Sequence, residues 1–336
     1  MIIKNYMAVN PSKLALLEAL KQKRLNYVSG EVLARELNVS RTAIWKHIKS
    51  LRKDGYIIEP SPKLGYKYMA APDKLLPLEI LHNLKTNYLG RRIIHFLEID
   101  STQDVAKEMV VKGAPEGTLI IAEGQSKGRG RLGRTWLSPQ GQGIYLSLIL
   151  RPHISPIHAP KITLMAAVSI VQAIEAITPV KAQIKWPNDI LISHRKVAGI
   201  LTEIDAEMDR TNAIILGIGI NINNHSSSFS SELRDTVTSL RMETGREISR
   251  LGLLQTLLLD LENLYETFKA KGFTPILGIW KKRDITVGSY VKAVLIDREL
   301  VGQAVDIDHE GTLILRDEKG NTHRIISGDV TLLRIR

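Results

Sequence analysis

The hydrophobic pattern of this 336-residue chain changes period twice, which rules out one repeating architecture. Up to Leu51 the apolar residues recur at helical spacing, with Ile44, Ile48 and Leu51 at i, i+4 and i+7. From residue 93 short apolar blocks alternate with helical stretches, and from residue 285 the pattern is strand-like throughout. At roughly 150 residues per domain such a length holds two or three domains. The changes of period suggest bounds at 1–71, 72–283 and 284–336.

In the first segment Asn10-Pro11 reads as a helix start, with Asn as the cap and Pro at the first helical position. Ser29 caps a second helix carrying Val32, Leu33 and Leu37, and Ser40 caps a third. Gly55, Tyr56-Ile57-Ile58, Pro60-Ser61-Pro62, Gly65 and Tyr66-Lys67-Tyr68 predict a short hairpin. Helices joined at Asn38-Val39 and followed by a hairpin make a winged helix-turn-helix, its core motif over about 30–49. Residues 1–70 hold thirteen Lys or Arg against five Asp or Glu, a net of +8 out of +11 for the whole chain. A basic lobe of this kind suits a polyanion. A solubility tail would explain the charge but not the periodicity. With Ile44 and Ile48 turned inward, a recognition helix over 41–49 leaves Arg41, Thr42, Trp45, Lys46 and Lys49 for DNA. Trp45 is large for an outer face and packs either under the wing or against the DNA backbone. The competing reading of the whole lobe is a three-helix interaction module that binds no DNA.

Beyond Pro72, strands are expected over 93–99, 118–122, 144–150, 181–186, 190–193, 196–204 and 212–221. Helices are expected over 101–110, 162–177 and 251–269. Consecutive hairpins beside a few helices mean an α+β domain with a largely antiparallel sheet. Five short strands follow, over 290–296, 300–307, 312–315, 323–326 and 331–335, suggesting a small closed barrel.

Composition excludes several chemistries. With no cysteine there is no disulfide, thiolate zinc site or cysteine nucleophile, which suits a reducing cytoplasm. G-x-x-x-x-G-K-[ST], H-E-x-x-H and G-x-S-x-G are all absent, and the nine histidines have no metal-ligand spacing. Leu14-Ala15-Leu16-Leu17 runs into Glu18, Lys21, Lys23 and Arg24, unlike a signal sequence. The apolar stretch 162–174 is broken by Thr163, Ser169 and Gln172 and falls short of the roughly 20 residues of a membrane span.

Three segments carry chemistry. Gly128-Arg129-Gly130-Arg131-Leu132-Gly133-Arg134-Thr135-Trp136 matches G-x-G-x-x-G, yet Pro139, Gly141 and Gly143 follow where a dinucleotide loop needs a helix. An irregular loop whose guanidinium groups grip carboxylate or phosphate fits better. A mobile RNA-binding loop is the alternative. Lys185-Trp186-Pro187-Asn188-Asp189 ends one strand and turns into the next, as a purely structural hairpin also would. Lys196 begins a strand beside Gly199, where a lone lysine is commonly just surface. Gly217-Ile218-Gly219-Ile220-Asn221-Ile222-Asn223 alternates like a buried strand, and its glycines let a ligand or helix lie close.

Together, in this order, these segments resemble the bifunctional biotin ligase/biotin operon repressor family, over nearly the whole chain. The matching pieces are the winged helix-turn-helix, Ser101-Thr102-Gln103, Gln125 with 128–136, 185–189, Arg195-Lys196-Val197-Ala198-Gly199, 217–223 and the last five strands. The resemblance implies a catalytic domain like that of class II aminoacyl-tRNA synthetases and an SH3-like C-terminal barrel. It implies ATP and Mg²⁺ as cofactors, biotin as substrate and biotinyl-5′-AMP as intermediate and corepressor. It also implies a biotin carboxyl carrier protein as acceptor, operator DNA as target, and a homodimer when the adenylate is bound. By that resemblance Ser101, Thr102, Gln103, Gln125, Arg129, Gly130, Arg131 and Lys196 bind biotin. Arg131, Arg134, Trp136, Asn188, Lys196 and Asn221 bind the adenylate, with Trp136 and the loop 224–238 sheltering the adenine. Arg131, Lys196 and Asp189 are the catalytic set, Asp189 orienting or deprotonating the acceptor lysine, and Mg²⁺ enters through ATP. One departure is Gln103, where many members have Asn. The rivals are a lipoate ligase, a sensing transcription factor without catalysis, and a ligase whose N-terminal lobe no longer binds DNA.

Overall fold

The computed structural model describes residues 10–295 and 297–333. It divides into two compact units, one ending at Leu84 and the other starting at Lys85. The first contains α1 (Pro11–Gln22), α2 (Gly30–Glu36), α3 (Arg41–Lys53), the hairpin β1 (Ile57–Ser61) and β2 (Gly65–Ala70), and α4 (Pro77–Leu81). Its first three helices start where short polar side chains take up an orphan backbone donor. Asn10 Oδ1 accepts from Lys13 N at 3.2 Å, Ser29 Oγ from Val32 N at 3.2 Å and Ser40 Oγ from Ala43 N at 3.1 Å. Each such cap contributes about 1 kcal/mol. Ile44, Ile48 and Leu51 turn inward and share one core with Leu16, Leu17, Leu20, Leu33 and Ile58. This unit runs past residue 71. Leu78 of α4 joins the same core, and buried Glu79 pairs with Lys21 at 2.7 Å. A five-residue helix spans barely more than one turn, so no period announces it.

The second unit is built on a seven-stranded sheet. Its elements are β3 (Arg92–Phe96), α5 (Thr102–Val111), β4 (Thr118–Ala122), β5 (Gly143–Leu150), α6 (Pro160–Ile177), β6 (Gln183–Lys185), β7 (Asp189–Ile192), β8 (Arg195–Glu207) and β9 (Arg210–Asn221), then α7 (Leu240–Thr244), α8 (Arg250–Lys271) and α9 (Thr274–Lys281). The strand order is β3-β4-β5-β9-β8-β7-β6, antiparallel except for the parallel pair β3–β4. α6 packs on α8, α9 and strands β6 to β8. With its leading turn this helical run spans Pro156–Ile177, long and apolar enough by composition to cross a membrane, yet 72% of its most apolar window is buried in protein. It is the core helix of this unit. Burying a Leu or Ile side chain there contributes about 1.5–3 kcal/mol.

The last five strands are β10 (Tyr290–Val294), β11 (Glu299–Ile307), β12 (Leu313–Arg316), β13 (Thr322–Ile325) and β14 (Asp329–Leu332). They form one antiparallel sheet in the order β13-β12-β11-β10-β14. Among the described residues β13 and β14 do not pair, so the sheet is not the fully laddered barrel expected from the strand spacing. It is nonetheless strongly curled. The residues 326–328 joining its two end strands reach at most about 14 Å, whereas flat end strands would stand about 19 Å apart. A register shift at Ala304/Asp306 in β11 supplies part of that bend. Ile296, Ile335 and the start of the first expected segment at 1–9 lie outside the described residues.

Candidate active site and DNA-facing helix

The polar floor of the site begins at the start of α5. Ser101 caps that helix, its Oγ accepting from Gln103 N at 3.3 Å, so Thr102 and Gln103 occupy the first turn. Gln125, just after β4, accepts at Oε1 from Thr102 N at 2.8 Å and Thr102 Oγ1 at 3.1 Å, while its amide donates to Ser138 Oγ at 2.9 Å. Ser147 of β5 stands 2.9 Å from Thr102 Oγ1 and 2.7 Å from Gln103 Oε1. These side chains line a cleft of about 470 Å³ whose apolar walls include Leu146, Ile200, Leu201 and Ile218.

Cations gather at its mouth. The loop 128–136 folds back on itself, with Gly130 N donating to Arg134 O at 2.7 Å and Trp136 N to Gly128 O at 2.9 Å. Its turn, Arg131–Gly133, directs Arg131 to Asn188 Oδ1 at 3.0 Å and to Gly328 O, on the approach to β14, at 3.2 Å. Burial pushes the Arg131 pKa down, while Asp329 and Asp189 pull it back up. Lys196, near the start of β8, lines the same cleft, 2.5 Å from Asp189 Oδ1. Lys185 holds the other carboxylate oxygen at 2.9 Å. Burial alone would raise the Asp189 pKa, but these two ammonium groups outweigh it and hold the carboxyl below its ordinary range. One ionised carboxylate thus fixes two lysines.

A second cleft of about 730 Å³ adjoins the first and shares Gly130, Arg131, Trp136, Asn188 and Lys196 with it. It adds Arg134, Asp189, Asn221 and Asp329, with Phe229, Leu233 and Val237 from the loop 224–238. That loop is tied to β8, as Lys196 N donates to Thr236 O at 2.8 Å and Thr238 N to Lys196 O at 2.9 Å. Asn221 anchors it further by donating to Thr238 O at 3.1 Å. Arg134 pairs with Asp329. The Trp136 indole lies on the backbone of Gly219, in the space a side chain there would fill.

The expected site residues therefore converge. Ser101, Thr102, Gln103, Gln125 and Arg129 line the first cleft, Arg134, Asp189 and Asn221 the second, and Gly130, Arg131, Trp136, Asn188 and Lys196 both. Arg129 is partly diverted, held by Asp104 at 2.6 Å and Glu203 at 3.2 Å. Trp186, inside the Lys-Trp-Pro-Asn-Asp motif, is buried as a structural joint and donates its indole N–H to Gly311 O at 3.1 Å. Sequence reasoning missed Ser147, which sits in a segment that reads as purely apolar. It also missed Lys185 as a partner of Asp189, although a four-residue spacing across a hairpin turn was the signal. Nothing local announces Gly328 or Asp329.

In the first unit Arg41, Thr42, Trp45, Lys46 and Lys49 are all exposed on one side of α3. Trp45 is 53% exposed, so it does not pack under the wing; Lys49 Nζ sits 5.2 Å above its ring. α3 extends to Lys53, adding exposed Arg52 and Lys53 to the basic face.

Comparison with known proteins agrees with this layout. The model of the Biotin/lipoate A/B protein ligase family matches residues 96–221, an HTH domain matches 13–67, and the Biotin protein ligase C terminal domain matches 286–333. The bifunctional ligase/repressor BirA of Bacillus spizizenii is 44% identical over 94% of this chain and 97% of its own length. That of Escherichia coli is 32% identical over 90% and 92%. The structure of a biotin protein ligase from Aquifex aeolicus in complex with biotin and ATP superposes with a TM-score of 0.63 at 33% identity, covering 72% of this chain and 99% of that one. With a helix-turn-helix unit, a two-cleft ligase sheet and the C-terminal domain on one chain, the protein belongs to the family of bifunctional biotin ligase/repressors.

Proposed function

We propose that the chain couples ATP-dependent attachment of biotin to a carrier-protein lysine with biotin-responsive repression at an operator, in the cytoplasm. The observation that carries the ligase reading is that Arg131 and Lys196 line both clefts, one floored by amides and hydroxyls, the other open toward Asn221 and the 224–238 loop. Biotin suits the first, its ureido ring on the polar floor and its valeryl chain along Ile200 and Leu201. ATP suits the second.

In the first step a biotin carboxylate oxygen attacks the α-phosphorus of ATP and pyrophosphate leaves. In the second the acceptor lysine amine attacks the acyl carbon, AMP leaves, and an amide forms with loss of a proton. The obstacle is electrostatic: two like charges about 4 Å apart repel by about 4 kcal/mol at an effective dielectric near 20. Arg131 and Lys196 offset that repulsion from fixed positions. Mg²⁺ entering with ATP would supply charge neutralisation for the leaving pyrophosphate. Asp189 holds Lys196 in place, and its depressed pKa suits it to orienting an ammonium group rather than to taking its proton. Trp136 and the 224–238 loop exclude water from the mixed anhydride.

The repressor reading rests on the exposed basic face of α3. Adenylate binding is expected to favour a homodimer matching a two-fold operator, which requires different adenylate affinity in monomer and dimer. Equal operator affinity with and without adenylate would remove that coupling. The ligase reading is tested by mixing the protein with ATP, Mg²⁺ and either biotin or lipoate and identifying the product by mass. Biotinyl-adenylate is expected; lipoyl-adenylate alone would overturn the assignment.

A further inference from the structure

Lys196 takes its main-chain hydrogen bonds from a segment outside the seven-stranded sheet. β9 pairs with β8 from Ala198 onward and does not reach the lysine. The place it leaves is filled by residues 236–238, the end of the loop 224–238, which bridge to β8 in parallel with Val237 opposite Lys196. Lys196 N donates to Thr236 O at 2.8 Å, and its carbonyl accepts from Thr238 N at 2.9 Å. On the other side β7 meets β8 at a register shift beside Leu191, the residue opposite Lys196, so that edge is irregular. Both polar groups of the peptide that carries the lysine side chain are therefore held by the loop, and releasing it would strip them together.

That segment is tied down at one carboxylate. Thr238 Oγ1 donates to Glu243 Oε1 at 2.5 Å, and Arg195 Nη2 donates to the same oxygen at 2.6 Å. Thr238 is fully buried and the Glu243 side chain is 9% exposed, so water does not readily replace either bond. Arg195 is the residue before Lys196, and Glu243 lies in α7 just beyond the loop. The carboxylate thus joins the strand that carries the lysine to the segment that completes its hydrogen bonding. α7 has its own anchor, since Ser239 Oγ accepts from Met242 N at 3.2 Å and donates to Asn224 O at 2.7 Å.

We infer that Glu243 is a positioning residue for Lys196, acting through Arg195 and Thr238 on the main chain that carries the ammonium group. Asp189 holds the far end of the side chain, 2.5 Å from Nζ. Glu243 holds the near end. Fixed charge stabilises a transition state only while its place is fixed, and a displacement of about 1 Å costs about 100-fold in rate. The inference rests on the ligase reading above and adds to it a residue outside the lining of both clefts.

The test is single-turnover formation of biotinyl-adenylate by the full chain at saturating biotin and ATP. Glu243→Ala should slow the step about 10- to 100-fold, and more ATP should not restore it. A residue that merely kept the loop over the nucleotide would raise the ATP requirement and leave the saturated rate unchanged; that result would overturn the inference. Glu243→Gln keeps an acceptor for Thr238 but gives up the charge facing Arg195, and should slow the step about three- to tenfold. It carries the test if the alanine variant does not fold, and an unchanged saturated rate would again overturn the inference. In a Lys196→Ala background either change should cost less than about twofold, because the group it positions is gone. The full cost persisting there would overturn the inference while leaving the ligase reading intact. Failure of the unmodified protein to form biotinyl-adenylate would overturn both.

Discussion

The indole of Trp136 rests against Gly219: a Cβ built on that glycine would collide with Trp136 Nε1 and lie 2.5 Å from Cε2. No real contact is that short, and a ring wedged between a loop and a sheet has little freedom to yield. Gly219→Ala should therefore force Trp136 outward at a cost of about 1–3 kcal/mol, about five- to 150-fold in adenylate retention. In a Trp136→Ala background the same change should cost much less. Adenylate dissociation rates in the four proteins measure the coupling.

The Asp189 carboxyl gives a pH dependence with a definite sign. Its folded pKa lies below the ordinary value of about 3.9. The stability it contributes is therefore complete above that value and is lost as pH falls through the lower folded pKa. Acid unfolding followed by circular dichroism should show Asp189→Asn less stable than the parent above about pH 5. The gap should close toward the bottom of the titration. A gap that widens on acidification would contradict the two-lysine clamp.

Operator affinity should fall steeply with salt, and Arg41→Ala or Lys46→Ala should each reduce the slope of log K against log salt by about 0.9. Trp45→Ala tests the exposed ring directly, since a side chain that shelters under nothing should affect DNA affinity and leave the melting temperature unchanged. Ile44→Ala, by contrast, opens a cavity beneath α3 and should cost about 2–5 kcal/mol of stability in denaturant titrations.

Much of this architecture was legible because its signals are local. Asn10, Ser29 and Ser40 all cap the helices their side chains predict, since a cap depends on the next three residues only. β4 spans Thr118–Ala122, the span read from its apolar run. What stayed hidden depends on distance along the chain or on brevity. α4, α7 and α9 are short helices without a sustained period. The parallel pairing of β3 with β4 is invisible to alternation alone. At the site, Arg131 and Gly328 meet across 197 residues, and the Ser147 hydroxyl finds Gln103 across 44. Gln103 itself was legible as a departure in length, but the space it fills was not, because that depends on the missing Cβ of Gly217.

The central claim is that Arg131 and Lys196 act on one reacting pair of anions. Its most direct measurement is single-turnover formation of biotinyl-adenylate by Arg131→Ala, Lys196→Ala and the double variant, with circular dichroism confirming that each is folded. Each single change should slow the step by about 10²–10³, and the double variant should lose less than the product of the two. Adenylate formation at the parental rate in either folded single variant would contradict the account.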